Sequence, residues 1–74
     1  MKLEINTNGA WRTVLDGITP DLPATYRAAM TAAATLAALD AGLRRRPQTW
    51  RLVDTENRVV SYCVGAQGWT DRAA

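Results

Sequence analysis

Cys63 is the only thiol in the chain, and there is no histidine to activate it or any hydroxyl. A serine or cysteine nucleophile needs a neighbouring base, most often histidine, so neither a Ser–His nor a Cys–His pair can form. A structural zinc site takes four nitrogen or sulfur ligands, which one cysteine without histidine cannot supply. The seven carboxylates are scattered over caps, turns and strands. Asp54 and Glu56 come close together, but in Asp54-Thr55-Glu56-Asn57, a turn where such side chains cap backbone N–H groups and stay solvated. Neither G-x-x-x-x-G-K-[ST] nor G-x-G-x-x-G occurs, so no phosphate cradle is encoded in those forms. The expectation is a non-enzymatic chain with no catalytic residue, no metal ligand set and no cofactor. Cys63, between Tyr62 and Val64, reads as a small apolar strand residue.

The residues left to do something are arginines and aromatics. Val14, Val53 and Val59 form an apolar strip if they share the outer face of a sheet, rimmed by Arg12, Arg51 and Arg58. That mixture has the makeup of a protein interface. Trp69 stands in a glycine-bounded tail, where it either tucks onto the domain, the expected state, or is an exposed binding anchor. Arg44, Arg45 and Arg46 can grip phosphates, which makes nucleic acid the alternative partner. They also sit where a helix dipole is negative, which explains them without any ligand. The net charge of +2 neither requires nor excludes nucleic acid.

The elements that must position these groups are legible from turn chemistry. Lys2 to Asn6 alternates polar and apolar, and Trp11 to Leu15 is aromatic and β-branched. Asn8-Gly9 between them is a hairpin signal. A two-residue turn pairs Ile5 with Arg12. A bulged turn with Gly9 in the left-handed region pairs Ile5 with Trp11 and gathers Leu3, Ile5, Trp11 and Leu15 on one face, so it is the expected register. A helix starts near Thr19 or Asp21, with Pro20 or Pro23 in its first turn, and runs to about Ala41. Gly42 is the expected left-handed residue after it, with Leu43 folding back. Tyr26, Met30, Leu36, Leu39 and Leu43, with Ala29, Ala33 and Ala37, form a shallow apolar stripe. Packing on a sheet is expected of it, a helix–helix seam being the other use.

The second hairpin, Trp50 to Asp54 and Arg58 to Val64, turns with Asn57 in the left-handed region and pairs Asp54 with Arg58. That register puts Leu52 opposite Val60 and Trp50 opposite Tyr62 inside, leaving Arg51, Val53, Val59, Ser61 and Cys63 outside. The fold class is α+β: two β-hairpins and one long helix (ββαββ), an antiparallel sheet packed on one helix. The domain is expected to span residues 1–64, with 65–74 a flexible tail.

With 74 residues and no disulfide, such a chain is thinly stable alone. A homodimer, an obligate partner or a self-sufficient monomer all remain open. No run reaches the roughly 18 apolar residues of a membrane span, and the lone cysteine without a leader points to a cytoplasmic setting. The segments Lys2-Leu3-Glu4-Ile5-Asn6-Thr7-Asn8-Gly9-Ala10-Trp11-Arg12 and Trp50-Arg51-Leu52-Val53-Asp54, in a chain of this layout, resemble small proteins carried by phages and prophages of GC-rich bacteria, anti-CRISPR proteins among them. The resemblance implies a stoichiometric inhibitor in the host cytoplasm that occupies a surface on a host defence complex. The absence of a strongly acidic balance departs from the DNA-mimic kind. The functional expectation is a protein-binding module.

Overall fold

The computed structural model describes residues 1–71, which form an antiparallel five-stranded sheet and one helix, an α+β fold. Strands β1 (Lys2–Thr7) and β2 (Ala10–Leu15) make the first hairpin. Asn8 and Gly9 both adopt positive φ, at 54° and 87°, the signature of a two-residue mirror-image turn. The Asn6 side chain accepts a hydrogen bond from the Gly9 N–H at 3.0 Å. The turn therefore pairs Ile5 with Arg12 and Asn6 with Trp11, and the expected register of Ile5 opposite Trp11 is corrected. Trp11 shares a face with Asn6 and Glu4, away from Leu3 and Ile5. Farther along, Glu4 faces Thr13 but Leu3 faces Leu15, so Val14 is the extra residue of a bulge.

Strands β3 (Thr49–Val53) and β4 (Val59–Val64) form the second hairpin. Its turn is as read: Asn57 has φ of 63°, and the Asp54 N–H donates to the Arg58 carbonyl at 2.9 Å. The Asp54 carboxylate accepts from the N–H groups of Glu56 and Arg58, each at 2.9 Å. Val53 then faces Val59, but Leu52 faces Ser61 and Trp50 faces Cys63. Val60 is the extra residue here. One added residue inverts every side chain beyond it. Cys63 and Ser61 therefore point inward and Tyr62 outward, which corrects the expected pairs Leu52–Val60 and Trp50–Tyr62.

The helix α1 spans Pro23–Leu43. Pro23 opens it, where a missing N–H costs nothing. Leu22 precedes it without a side-chain cap. Thr19 forms the entering turn, its hydroxyl accepting from the Asp21 N–H at 3.2 Å. At the other end Gly42 stays within the helix, and the chain leaves through an extended Arg44 whose N–H donates to the Asp40 carbonyl at 3.0 Å. The Asp40 carboxylate accepts from the Gln48 N–H at 2.7 Å, tying the exit loop back to the helix. The expected glycine cap and folded-back Leu43 are corrected, because that side-chain bond ends the helix instead and leaves Leu43 exposed.

Strand order is β2-β1-β3-β4 followed by a fifth strand, β5 (Trp69–Asp71). Residues 65–71, expected as a loose tail, form a short 3₁₀ turn (Gly65–Gln67) and this strand, which pairs antiparallel with β4. The rest of the expected tail lies outside the described residues. Gly65, at φ of 54°, lets the turn lie against α1, where a Cβ would meet that of Ala41 at 3.4 Å. The helix covers one face of the sheet through Ala33 and Ala37, over Leu3, Trp50, Leu52 and Cys63, with Ile18 closing one end. Tyr26, Met30 and Trp69 pack around that core half-buried. Small helix residues let the backbone lie close to the sheet, and the cost is a thin core.

Candidate functional site

The face of the sheet opposite the helix is closed by its own side chains. Glu4 on β1, Trp11 on β2, Arg51 on β3 and Tyr62 on β4 lie across neighbouring strands. The Arg51 Nε donates to Glu4 Oε1 at 2.7 Å, and its guanidinium carbon sits 4.0 Å from the centroid of the Trp11 ring. Trp11 and Tyr62 lie with ring centroids 6.5 Å apart, tilted by 49°. Glu4 is buried while Arg51, Trp11 and Tyr62 are half-buried, so the ion pair is shielded at its acidic end and the rings stay in reach of a partner. A cation over an indole face contributes about 0.5–2 kcal/mol depending on desolvation. Three side chains of the types that dominate binding energy, Trp, Arg and Tyr, are thus held in place before any partner arrives.

The residues expected to make one binding strip do not come together. Arg51 belongs to the cluster just described. Arg12 stands opposite Ile5, on the helix side of the sheet but beyond the helix, and its Nε donates to the Thr7 hydroxyl at 3.0 Å. Val14 is the bulged residue of the β2 edge and is 51% exposed. Val53 is buried at 3% exposure and offers a partner nothing, with half-buried Val59 opposite it. Arg58 pairs with Asp54 at 3.2 Å and Glu56 at 2.9 Å, at the tip of the second turn. Trp69 is tucked in, its indole N–H donating to the Met30 carbonyl at 2.8 Å. Cys63 is fully buried, and burial pushes its thiol pKa up, which suits an inert core residue.

Trp11 and Tyr62 were missed as surface residues. The signal was available: the two-residue reading of Asn8-Gly9 already placed Trp11 on the face of Glu4. The pull to bury a tryptophan under the helix hid it. For Tyr62, only the Val60 bulge turns it outward.

Arg44 forms an ion pair with Asp40, whereas Arg45 and Arg46 are exposed and make no ion pair among the described residues. Arg44 and Arg46 line a polar concavity of about 390 Å³ with Asn6, Asn8 and Gln48. Among the described residues, no group of three or more His, Cys, Asp or Glu is placed to hold a metal ion, and no helix is long and apolar enough to cross a membrane. No protein-family model matches the chain, and neither does any curated protein or solved structure.

Proposed function

We propose that the chain is a protein-binding module that docks a partner on the helix-free face of its sheet, centred on Trp11, Arg51 and Tyr62. The observation that supports this is the stacked Trp11–Arg51 pair with Tyr62 beside it, a preorganised group of anchor residues on a face no helix covers. The adjoining edge strand β2 extends the surface. Between its flanking hairpin pairs, the backbone groups of Trp11 and Thr13 point away from β1, so a partner strand can add there. The bulge at Val14 ends that edge and limits runaway pairing. Stoichiometric occupancy of a host complex, the role implied by the resemblance to phage-borne inhibitors, is one use of such a surface.

The test is affinity capture from bacterial lysate on immobilised protein, comparing the wild type with Tyr62→Ser and with Trp11→Thr. One polypeptide retained at near-equal molar ratio by the wild type and lost with both variants supports the reading. A retained set that neither variant changes overturns it.

The second reading is a small nucleic-acid-binding protein, supported by the exposed Arg45 and Arg46, which make no ion pair among the described residues, at the polar concavity that Arg46 lines. Phosphate binding weakens steeply with salt because counterions are released. A mobility shift of nonspecific DNA or RNA at low salt, abolished at high salt and by Arg45→Ser with Arg46→Ser, favours this reading. No shift at low salt removes it.

A further inference from the structure

The polar concavity has two walls that meet only in the folded chain. One is the first turn, and the other is the loop that leaves α1 and leads into β3 at Thr49. Asn6, Asn8, Arg44, Arg46, Gln48 and Thr49 supply its polar side chains. No carboxylate and no aromatic ring lines it. Each of those six side chains can donate a hydrogen bond.

Both walls are fixed by bonds that leave donors over. The Asn6 Oδ1 accepts from the Gly9 N–H at 3.0 Å, which orients the amide and leaves its Nδ2 without a hydrogen bond among the described residues. Asp40, which does not line the concavity, holds the other wall. Its Oδ1 lies 2.5 Å from the Arg44 Nε, and its Oδ2 accepts from the Gln48 N–H at 2.7 Å. One carboxylate thus places both the arginine and the loop backbone. It faces the Nε–H and leaves the fork of Arg44 Nη groups for another acceptor. Pro47 restricts the backbone between Arg46 and Gln48. The side chains of Asn8, Arg46 and Gln48 make no hydrogen bond or ion pair among the described residues.

The helix dipole accounts for Arg44, one residue past α1, but its effect falls off within the last turn. It does not account for Arg46, which lines the concavity with the first turn. A lining that only donates or accepts neutrally, with two guanidinium groups and no acid, suits an anion. A carboxylate is satisfied by one arginine fork. Donors converging from two walls suit an anion with more acceptors, and a phosphate monoester offers three strong acceptor oxygens. The space of about 390 Å³ exceeds a lone phosphate group, and carboxamides with the Thr49 hydroxyl suit the hydroxyls of a sugar. With no ring to stack on, a nucleobase gains nothing here.

We infer that this concavity binds the phosphate of a sugar phosphate monoester, gripped by Arg44 and Arg46, with the Asn6, Asn8 and Gln48 amides on the oxygens around it. The inference rests on the nucleic-acid reading for its arginines and narrows it. The group recognised is a terminal phosphate on a sugar, free or at the end of a strand. Arg45 does not line the concavity and has no part in it.

Amide NMR titration of the full chain at low salt, in buffer without phosphate, tests this. The probes are ribose 5-phosphate, ribose, and one short single-stranded DNA carrying either a 5′-phosphate or a 5′-hydroxyl. Ribose 5-phosphate is expected to shift the amides of the first turn and the exit loop saturably by millimolar concentration, and ribose to shift none. A phosphorylated strand that shifts the same amides, where its hydroxyl twin does not, makes strand ends a source of the ligand as well. Arg46→Ser should weaken ribose 5-phosphate about tenfold, the loss of one charge-assisted contact. Asn8→Gly should weaken it too, with an unchanged far-UV circular dichroism spectrum, while Arg45→Ser leaves it as in the wild type. No saturable shift from ribose 5-phosphate overturns the inference, and so does an equal loss with Arg45→Ser and Arg46→Ser. If the hydroxyl strand binds while ribose 5-phosphate does not, the nucleic-acid reading stands and this inference falls. If ribose 5-phosphate binds and neither strand does, this inference stands and that reading falls.

Discussion

The indole N–H of Trp69 donates to the main-chain oxygen of Met30 at 2.8 Å, joining the last described strand to the middle of the helix. That oxygen lies inside a regular helix, where it already serves the backbone ladder. The extra bond uses its second lone pair. It fixes β5, a strand of three residues, against an element 39 positions away in sequence. Ser61 on β4 adds to the same attachment, its hydroxyl donating to the Thr70 carbonyl at 2.6 Å.

Replacing Trp69 should therefore loosen the edge of the sheet in two steps. Trp69→Phe keeps most of the ring contact but loses the bond, a cost of about 1 kcal/mol. Trp69→Ala also loses the apolar area; for a half-buried ring the total is about 2–3 kcal/mol, below the range for a fully buried one. Urea unfolding monitored by circular dichroism measures both. An alanine variant with an unchanged midpoint would show that Trp69 does not hold β5.

The first turn should be sensitive to backbone conformation alone. Gly9 has φ of 87°, and a Cβ built there meets nothing within 4 Å. Gly9→Ala therefore introduces no clash, only the left-handed strain of an L residue, about 1 kcal/mol. For a domain of this size that is a fall of roughly 4–8 °C in melting temperature. Asn8→Gly, at φ of 54°, should be close to neutral. The two melts, compared with wild type, separate turn strain from side-chain packing.

These turns were also what the sequence showed most clearly. Asn8-Gly9 and Asn57 both marked hairpins through residues that tolerate positive φ, and the Asp54–Arg58 pair at the second turn followed. Strand and helix existence followed from the same punctuation. Faces were harder to read, since they depend on bulges. Val14 and Val60 are ordinary strand residues by type, and nothing local distinguishes them from their neighbours. The two-residue turn at Asn8-Gly9 moves Arg12 to the face of Ile5, Val14 is itself a bulged residue, and the Val60 bulge turns Tyr62 outward and Cys63 inward. The helix was legible in extent but not in orientation, because an almost uncharged alanine-rich segment has no strong polar side. Leu36 and Leu39, read as core, are on the exposed side.

The second turn should weaken in acid. The Asp54 carboxyl is held below the ordinary carboxylate range, chiefly by the Arg58 N–H, with burial opposing and the Glu56 N–H and the Arg58 charge assisting. A carboxylate whose pKa is lower in the folded chain stabilises the fold above its unfolded pKa. That contribution fades as pH falls through the lower folded value. Asp54→Asn removes the charge at every pH. The difference in melting temperature between wild type and Asp54→Asn should be largest near about pH 6 and shrink toward about pH 2.5. A difference that stays constant with pH would show that the turn does not depend on the ionised form.

Cys63 provides the sharpest test of the Val60 bulge. Without that extra residue, Cys63 would lie on the helix-free face beside Arg51, open to reagents. With it, the thiol is fully buried opposite Trp50 and Trp69, and burial pushes its pKa up. Both effects suppress the thiolate, which is the reactive form. Alkylation by iodoacetamide at mildly alkaline pH should be slow in the native chain and rapid in urea. The native rate should then follow opening of the fold rather than local exposure. Trp69→Ala, which loosens β5 directly beside Cys63, should raise the native rate by at least tenfold, while Arg58→Ala at the distant turn should change it little. Rapid native labelling that ignores Trp69→Ala would place Cys63 outside the core and remove the bulge from the description of β4.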